Sequence, residues 1–430
     1  MKLFGFSGVV VRLPEVLAGV AAIPLLYDLV RRVSGRTAGL GAALALAVLP
    51  AAILTAHSDT MDSLMLLLDV GAAWLVVAGS PVAAGAVLGL AFNVKLFEAL
   101  LVAPALVVLI GLTARRKLPG FAVALAGLGL SWMAIASLTP LSHRPWPFGS
   151  ADGSIWNVVF DYDGLDRASG AASAAALRVD PPGLLRLLGT GGHQYLWLVG
   201  TALVPAVVLP GIALARGWRP RAGVLFFGLW LLTGVVLLSF MQRMEPRYLD
   251  TVTPAIAAAV GIGAAAISRR GAVVACCLAA ALAAPAAGAV WVAGQHRSDA
   301  GLASRLTPEQ ITSLSRYLAK QPTHYEVASA SVDRAAPLIV RDARPVLMLA
   351  GEGGHELVAP ERLAALVASG GVRYALLSHS STPSVIWALH HSRDVSRAAG
   401  LPPGTLYRLT ATARPPARAR SARRAAHHRA

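Results

Sequence analysis

The chain has 430 residues, of which 56% are hydrophobic and only 14% are charged, and its mean hydropathy is +0.61. This composition is typical of polytopic membrane proteins and excludes a soluble enzyme. The formal net charge of +16, from 38 basic and 22 acidic residues, lies largely in short loops and an Arg-rich tail. It therefore indicates membrane topology, and no nucleic-acid partner is predicted.

Hydrophobic segments long enough to cross a bilayer recur along the first 295 residues. They lie near 14–31, 38–56, 61–79, 118–138, 194–215, 222–241, 251–268 and 271–294, beside a broken pair at 82–92 and 96–112. The sequence therefore predicts an α-helical polytopic membrane domain over residues 1–295, with about nine spans plus one broken helix and an outer loop at 139–193.

Polar residues interrupt the broken pair at its centre, where the chain reads Asn93-Val94-Lys95-Leu96-Phe97-Glu98. A lysine and a glutamate would each cost several kcal/mol in hydrocarbon. A break at Asn93 would instead place Lys95 at a membrane surface or in a wet cavity, where its ammonium group suits an anionic ligand such as a lipid phosphate. The alternative is an internal ion pair between Lys95 and Glu98, one helical turn apart.

The basic residues of the loops predict the orientation. The pairs and clusters at 31–36, 115–117, 216–221 and 269–270 fall on one side if each segment crosses once and the broken pair enters and returns. That side is expected to be the cytoplasm. The extracytoplasmic face then receives 57–62, 93–95, 139–193, 242–250 and everything after about 295.

This orientation starts the chain outside the cell, with only thirteen residues before the first span. Either a short amino terminus is translocated, or a first helix and its outer loop are missing from the sequence. We expect the second.

Short helical and strand patterns alternate after residue 300. The helices are expected at Pro308–Lys320, Arg334–Arg341, Pro360–Ala368 and Pro383–His390, and the strands at His324–Ser329, Pro345–Leu349, Val372–Leu377 and Thr405–Leu409. Such alternation predicts a small extracytoplasmic α/β domain over 300–412. The basic segment 413–430 is predicted to be a disordered tail.

A first polar group, His57, Asp59 and Asp62, immediately precedes a membrane helix. A helix N-cap with a carboxylate favoured by the helix dipole would explain one of the two aspartates. Two aspartates beside a histidine exceed what capping needs. Asp59 and Asp62 are therefore candidate catalytic residues, acting as general base on an acceptor hydroxyl or orienting a sugar.

Two further polar groups fall on the same predicted face. The loop containing Arg144, Ser150 and Asp152 mixes aromatic residues, arginine and aspartate, as carbohydrate and phosphate surfaces do. An irregular external loop is the simpler alternative. The segment Gln242–Tyr248, just before another span, adds the two guanidinium groups of Arg243 and Arg247 to the same face. Interfacial anchoring is the alternative.

Several soluble catalytic motifs are missing from the sequence: a Walker loop, a GxGxxG fingerprint, zinc-ligand spacing and a GxSxG elbow. The sequence therefore predicts no cofactor, and it leaves a divalent metal open.

The order of these motifs carries a family resemblance. The segments His57–Ala78, Gly89–Lys95, Arg144–Ser154 and Arg247–Tyr248, followed by Pro254, resemble the bacterial, especially actinobacterial, membrane glycosyltransferases of family 39. This family belongs to the GT-C superfamily, with the protein O-mannosyltransferases and the lipid A aminoarabinose transferase. Segments from Ala335 to Tyr374 resemble the extracytoplasmic domain of the mannosyltransferases in that group.

The resemblance implies a polyprenyl-phosphate sugar donor, an acceptor approached from outside, and an inverting transfer without a nucleotide. Lys95 would bind the donor phosphate, together with Asn93 and Arg247. Asp59 or Asp62 would match the acidic position of the second outer loop. The acceptor side would be lined by the loop residues and their neighbours His57, Glu98, Arg144, Ser150, Asp152 and Tyr248.

One departure from the family pattern limits the prediction. The family's catalytic acid lies in the first outer loop, and the sequence starts after that point; Glu15, inside the first span, is not expected to replace it. The sequence thus predicts a membrane glycosyltransferase, with mannose as the candidate sugar and an envelope glycan, lipid or protein as acceptor. The alternatives are an inactive homologue that binds a polyprenyl-phosphate glycolipid, or a membrane transporter.

Overall fold

The computed structural model describes residues 7–58, 60–147, 149–150, 152–165, 181–189, 193–219, 221–242, 244–267, 270–294, 306–351, 354–378 and 380–411. It divides into two compact units. The first comprises Val11–Trp146 and Ser154–Leu302, and the second comprises Met1–Val10, Pro147–Gly153 and Ala303–Ala430. The predicted tail at 413–430 lies beyond the described residues.

Apolar sequence forms a helical bundle in the first unit. Its helices are α1 Gly8–Ser34, α2 Arg36–Val48, α3 Pro50–Ala56, α4 Asp62–Val77, α5 Pro81–Lys95, α6 Ala103–Ala114, α7 Leu118–Gly129, α8 Ser131–Leu138, α9 Thr201–Ala215, α10 Ala222–Phe240, α11 Thr253–Ile267 and α12 Gly271–Gly294. Shorter helical segments adjoin them: the one-turn helix His193–Tyr195, the 3₁₀ turns Leu96–Val102, Arg115–Lys117, Leu141–His143, Arg186–Leu188 and Pro246–Val252, and the π turns Asn157–Leu165 and Leu196–Gly200.

The chain is a helical polytopic membrane protein. Among the described residues, six helical segments are long and apolar enough to cross a membrane, or seven if the bent pair α2 and α3 is one span. The sequence predicts about nine spans, more than these six or seven. One reason is that α4 has only 16 residues, about 24 Å of helix. Another is that α5, α6, α7 and α8 all lie within one candidate segment, Pro81–Leu138, which 3₁₀ turns interrupt.

The predicted helix break at Asn93 is wrong by three residues. Helix α5 continues through Asn93 to Lys95, and the break falls at Leu96, whose φ is +49°. Asn93 is compatible with the helix because its side-chain amide donates to the carbonyl of Gly89 at 3.0 Å. A leucine with positive φ is strained, so a strained residue directly follows Lys95.

Helices α5 and α7 approach each other closely. Gly85, Gly89 and Asn93 recur at four-residue spacing, so they lie on one face of α5. A Cβ atom on Gly89 would lie 2.8 Å from the carbonyl oxygen of Leu125, and Asn93 Nδ2 donates to the carbonyl of Leu128 at 2.6 Å. Small residues thus allow α7 to fix the end of α5 that carries Lys95.

Helix α11 ends the segment Pro246–Ile267, which is the most buried of the six candidate spans among the described residues. It packs against α2 and α9, and Gly261 permits contact with the backbone of Ala38 and Ala42. The 3₁₀ turn Pro246–Val252 leads directly into this helix, and Trp230 of α10 donates to the carbonyl of Thr251 at 3.0 Å. The turn is therefore held by the protein interior.

The second unit contains a mixed five-stranded sheet. Its strands are β1 Ala328–Ser329, β2 Leu347–Met348, β3 Tyr374–Leu376, β4 Ser392–Asp394 and β5 Leu406–Leu409, in the spatial order β2-β1-β3-β5-β4. Strand β1 is parallel to β2 and β3, whereas β5 is antiparallel to β3 and β4. Its helices are α13 Pro308–Ala319, α14 Val332–Asp342, α15 Pro360–Ala368 and α16 Pro383–His390.

Both faces of this sheet are covered. Alternate residues of β3 point to opposite faces: Tyr374 and Leu376 join the cluster with Leu314 of α13, and Ala375 joins the cluster with Leu363 of α15. The four predicted helices and four predicted strands are confirmed, with shorter strands. The edge strand β4 was not predicted, because Ser-Arg-Asp has no apolar alternation.

Candidate functional site

A buried ion triplet lies where α4 begins and α5 ends. Lys95 Nζ pairs with Asp62 Oδ1 and lies 3.1 Å from Glu98 Oε2. The side chains of Lys95 and Glu98 are each 13% exposed, and that of Asp62 is fully buried. The packing of α4 on α5 thus unites two groups that are separate in the sequence, and it includes the Lys95–Glu98 ion pair.

A second cation, Arg247, lies near Lys95 on the 3₁₀ turn Pro246–Val252. The ring of Tyr248 lies 5.2 Å from Lys95 Nζ and 5.7 Å from Arg247 Cζ. Arg247 also pairs with Glu245 at 2.5 Å, and it lies within electrostatic range of Asp62 and Glu98. Two cations therefore converge on one aromatic ring, beside a buried carboxylate.

Several polar atoms of this centre are buried without a hydrogen-bond partner among the described residues. They are Asp62 Oδ2, Glu98 Oε1 and Arg247 Nε. Burying such atoms costs free energy, which a ligand can recover by contacting them. The centre therefore has both acceptor and donor capacity left for a bound molecule.

Two acidic residues that sequence reasoning did not assign to the site also belong to this region. Glu15 of α1 accepts hydrogen bonds from the backbone of Ser63 and Leu64, in the first turn of α4. Asp250 accepts from Thr55 at 2.8 Å and from Thr253 at 3.0 Å. Glu15 is an acid in an apolar stretch, and that was the signal that could have identified it. Asp250 follows the charged segment 242–248 and has no such signal.

The remaining predicted site residues have other surroundings. Asn93 binds backbone carbonyls of α5 and α7, and His57 is exposed after the end of α3. Arg144 donates to the carbonyl of Thr139 at 3.1 Å. In the second compact unit, Ser150 donates to Asp152 at 3.0 Å. Asp59 is not among the residues that the structure describes.

No group of three or more His, Cys, Asp or Glu side chains with the geometry of a metal site occurs in the described part of the chain. The carboxylates around Lys95 instead face cations of the protein itself.

Two segments of the chain match protein families. Residues 1–139 match the model "Dolichyl-phosphate-mannose-protein mannosyltransferase", and residues 314–388 match "Putative mannosyltransferase YkcB-like, C-terminal". Two proteins of Bacillus subtilis (strain 168), "Putative mannosyltransferase YkcB" and "Putative mannosyltransferase YycA", are each 31% identical over 185 and 188 residues. These alignments cover 40% of the chain and about a quarter of each relative, 26% and 27%.

Solved structures share the fold. ArnT from Cupriavidus metallidurans bound to undecaprenyl phosphate superimposes with a TM-score of 0.64 at 16% identity, covering 96% of this chain and 87% of ArnT. The Archaeoglobus fulgidus oligosaccharyltransferase tethered with an acceptor peptide gives 0.53 at 14% identity, covering 86% and 57%. At these identities the likeness concerns the fold alone. The chain is thus a polytopic membrane protein that shares the fold of ArnT, and its residues 1–139 and 314–388 are similar to the dolichyl-phosphate-mannose-protein and YkcB-like mannosyltransferase families.

Proposed function

We propose that the chain is a membrane glycosyltransferase that moves a sugar, with mannose as the first candidate, from a polyprenyl phosphate to an extracytoplasmic acceptor. The observation that carries the proposal is the convergence of Lys95 and Arg247 on Tyr248 beside the buried Asp62. The matching mannosyltransferase families, and the undecaprenyl phosphate bound to ArnT, support the same donor class.

The two cations suit the phosphate of such a donor. As the bond between the anomeric carbon and the phosphate oxygen breaks, its electron pair stays on the phosphate, which gains negative charge. Lys95 and Arg247 would stabilise that charge more strongly in the transition state than in the ground state. The unpartnered Nε of Arg247 provides a donor for one phosphate oxygen.

Asp62 suits the role of general base. The acceptor hydroxyl would attack the anomeric carbon from the side opposite the phosphate and pass its proton to a carboxylate, which inverts the anomeric configuration. Asp62 Oδ2 has no hydrogen-bond partner among the described residues and so retains the capacity to accept that proton. Asp59 is the second candidate from the same predicted loop.

The acceptor would approach from the extracytoplasmic side. The basic loops favour this orientation for the start of α4 and for the C-terminal domain. An envelope glycan, lipid or protein would be the acceptor, with His57, Glu98, Arg144 and Tyr248 of the first unit as proposed contacts. The acceptor role of Ser150 and Asp152 stays a prediction from the sequence. Asn93 is proposed to act near the donor phosphate through the placement of Lys95.

Reconstitution of the full chain with labelled polyprenyl-phosphate mannose tests the proposal. Lys95→Ala is expected to weaken donor binding about tenfold to hundredfold, the effect of losing a hydrogen bond from a charged group. Lys117→Ala is the matched control, because Lys117 donates to the carbonyl of Gly79 and lies outside the centre. Equal donor binding by the parent and Lys95→Ala would refute the phosphate role.

The same assay separates the alternatives. Donor binding without transfer to any envelope fraction would favour an inactive homologue. Movement of the intact glycolipid across the membrane of a sealed vesicle, without cleavage, would favour a transporter. Release of unlabelled polyprenyl phosphate with label on the acceptor supports the glycosyltransferase.

A further inference from the structure

We propose that Glu98 is a charge gate on the donor site: its carboxylate competes with the donor phosphate for Lys95 and takes up one proton when the phosphate binds. This inference rests on the proposed function, since it concerns the same phosphate site. It assigns to Glu98 a control of donor affinity, in addition to the contact with the acceptor proposed above.

The ammonium group of Lys95 is fully engaged before any ligand arrives. It contacts Asp62 and lies 3.1 Å from Glu98 Oε2, so the triplet carries two negative charges and one positive charge. A sugar phosphodiester would add another negative charge. Since uncompensated charge in a buried site is costly, one of the carboxylates must be displaced or neutralised.

The other charged side chains near Glu98 do not neutralise this excess of negative charge. Glu98 faces Lys95 from α5, Asp62 and Asp69 from α4, and Arg247 from the 3₁₀ turn. Arg247 is paired with Glu245. Asp69 is buried, and its Oδ1 has no hydrogen-bond partner in the described part of the chain. Counting these side chains as ionised, acids outnumber bases by four to two.

Glu98 is better placed than Asp62 to change its state. Asp62 is the fully buried first residue of α4. Glu98 lies on the 3₁₀ turn that begins at the strained Leu96, and its side chain is 13% exposed. Its Oε1 has no partner among the described residues. A proton from solvent added there would form a neutral carboxylic acid, whose O–H can donate to a phosphate oxygen while Lys95 exchanges carboxylate for phosphate.

Binding of farnesyl methyl phosphate to the full chain in nanodiscs tests the gate. This probe is a phosphodiester, so its single charge does not titrate near neutral pH. Parent affinity is expected to fall as pH rises, by at most about tenfold per pH unit, which is the limit for uptake of one proton. Glu98→Gln should bind more tightly than the parent at the high end of the pH range, with little pH dependence.

The control variant is Glu361→Gln, an exposed carboxylate in the first turn of α15, which should leave affinity and its pH dependence unchanged. Calorimetry of the parent in two buffers of different ionisation enthalpy measures proton uptake directly, and it decides the question even if Glu98→Gln fails to fold. About one proton per ligand is expected.

These experiments distinguish failure of the proposed donor site from failure of the charge gate. If Lys95→Ala binds the probe as tightly as the parent, the proposed donor site itself fails. If Lys95→Ala loses binding while the parent takes up no proton, and Glu98→Gln matches the parent at every pH, the gate is overturned and the donor site stands.

Discussion

The carboxylate of Glu15 accepts a hydrogen bond from the backbone N–H of Ser63 at 2.9 Å. The N–H of Leu64 donates to the same oxygen at 3.2 Å, so Glu15 of α1 occupies the N-terminus of α4. The first N–H groups of a helix have no partner within it, and they favour a negative charge. Since Asp62 is the first residue of α4, Glu15 helps fix the carboxylate that binds Lys95.

Replacing Glu15 should therefore loosen the candidate site. Glu15→Ala leaves buried N–H groups unsatisfied, and it is expected to lower the free energy of unfolding by about 1–3 kcal/mol and to slow transfer of labelled mannose, because the proposed base Asp62 is held less firmly. Glu15→Gln keeps an acceptor oxygen and should lose less of both stability and transfer. Thermal unfolding in detergent and the transfer assay measure the two effects. An alanine variant indistinguishable from the glutamine variant would mean that this contact does not position Asp62.

Gly89 allows the close contact of α5 with α7. In Gly89→Ala the new methyl group would lie 2.8 Å from the carbonyl oxygen of Leu125 and 2.9 Å from the backbone nitrogen of Gly129. Because backbone atoms cannot move aside as a flexible side chain can, we expect a loss of about 1–3 kcal/mol in the free energy of unfolding.

Gly127 on α7 is the matched control for Gly89. A Cβ atom there meets nothing within 4 Å, so Gly127→Ala should be neutral or slightly stabilising through helix propensity. Thermal unfolding of both variants in the same detergent gives the comparison. Similar unfolding temperatures for the two would show that α5 and α7 tolerate a wider separation.

A buried carboxyl pair joins α14 to the start of β1 in the C-terminal domain. Glu326 accepts from Arg344 at 3.2 Å, and Asp342 accepts from Ser315 at 2.8 Å. The other oxygen of each carboxyl has no hydrogen-bond donor among the described residues, and the two side chains are within hydrogen-bonding range of each other. Burial, reinforced by Asp342, raises the pKa of Glu326 to about 7.

This pair should make the domain less stable as pH rises. Between about pH 4.5 and 7 the folded domain holds a proton on Glu326 that the unfolded chain releases, so the free energy of unfolding falls across this window, by at most about 3 kcal/mol. Hydrogen exchange of peptides spanning 323–330 in the full chain, corrected for intrinsic rates, measures the effect. Glu326→Gln can donate to Asp342 without titrating, so it should flatten the dependence. Protection that rises with pH in the parent would contradict the assignment.

Local sequence patterns predicted much of the fold. Composition indicated the membrane class, and apolar periodicity located the four helices of the C-terminal domain. Three of them also begin with a proline in the first turn, and α13 has a capping box formed by Thr307 and Gln310. The position of the break was not predictable. Nothing in the local sequence marks Leu96 for a positive φ, which leucine rarely adopts.

The sequence indicated several residues of the candidate site, but it did not indicate which of them contact each other. Lys95 and Asp62 stand out singly as charges next to apolar runs, yet their pairing depends on the packing of α4 against α5 over 33 positions of the chain. Glu15 was discounted because its neighbours in sequence are apolar. Its partners are backbone N–H groups of another helix, and no side-chain pattern reveals these.

A variant of Asp62 should separate donor binding from the transfer step. Asp62→Asn removes the proposed base and also one negative charge facing Lys95, while preserving the shape of the side chain. Transfer of labelled mannose should fall about 10²-fold to 10⁴-fold, the usual contribution of a general base. Donor binding should be unchanged or tighter, because Lys95 loses a competing carboxylate.

The reciprocal variant, Lys95→Ala, should lose donor binding, so the two variants fail at different steps. Binding of farnesyl methyl phosphate and transfer in proteoliposomes report on these steps separately. If Asp62→Asn weakened binding as strongly as Lys95→Ala while transfer per bound donor stayed constant, Asp62 would be acting only by holding Lys95 in place. The base would then have to be sought elsewhere, beginning with Asp59, the second candidate from the same predicted loop.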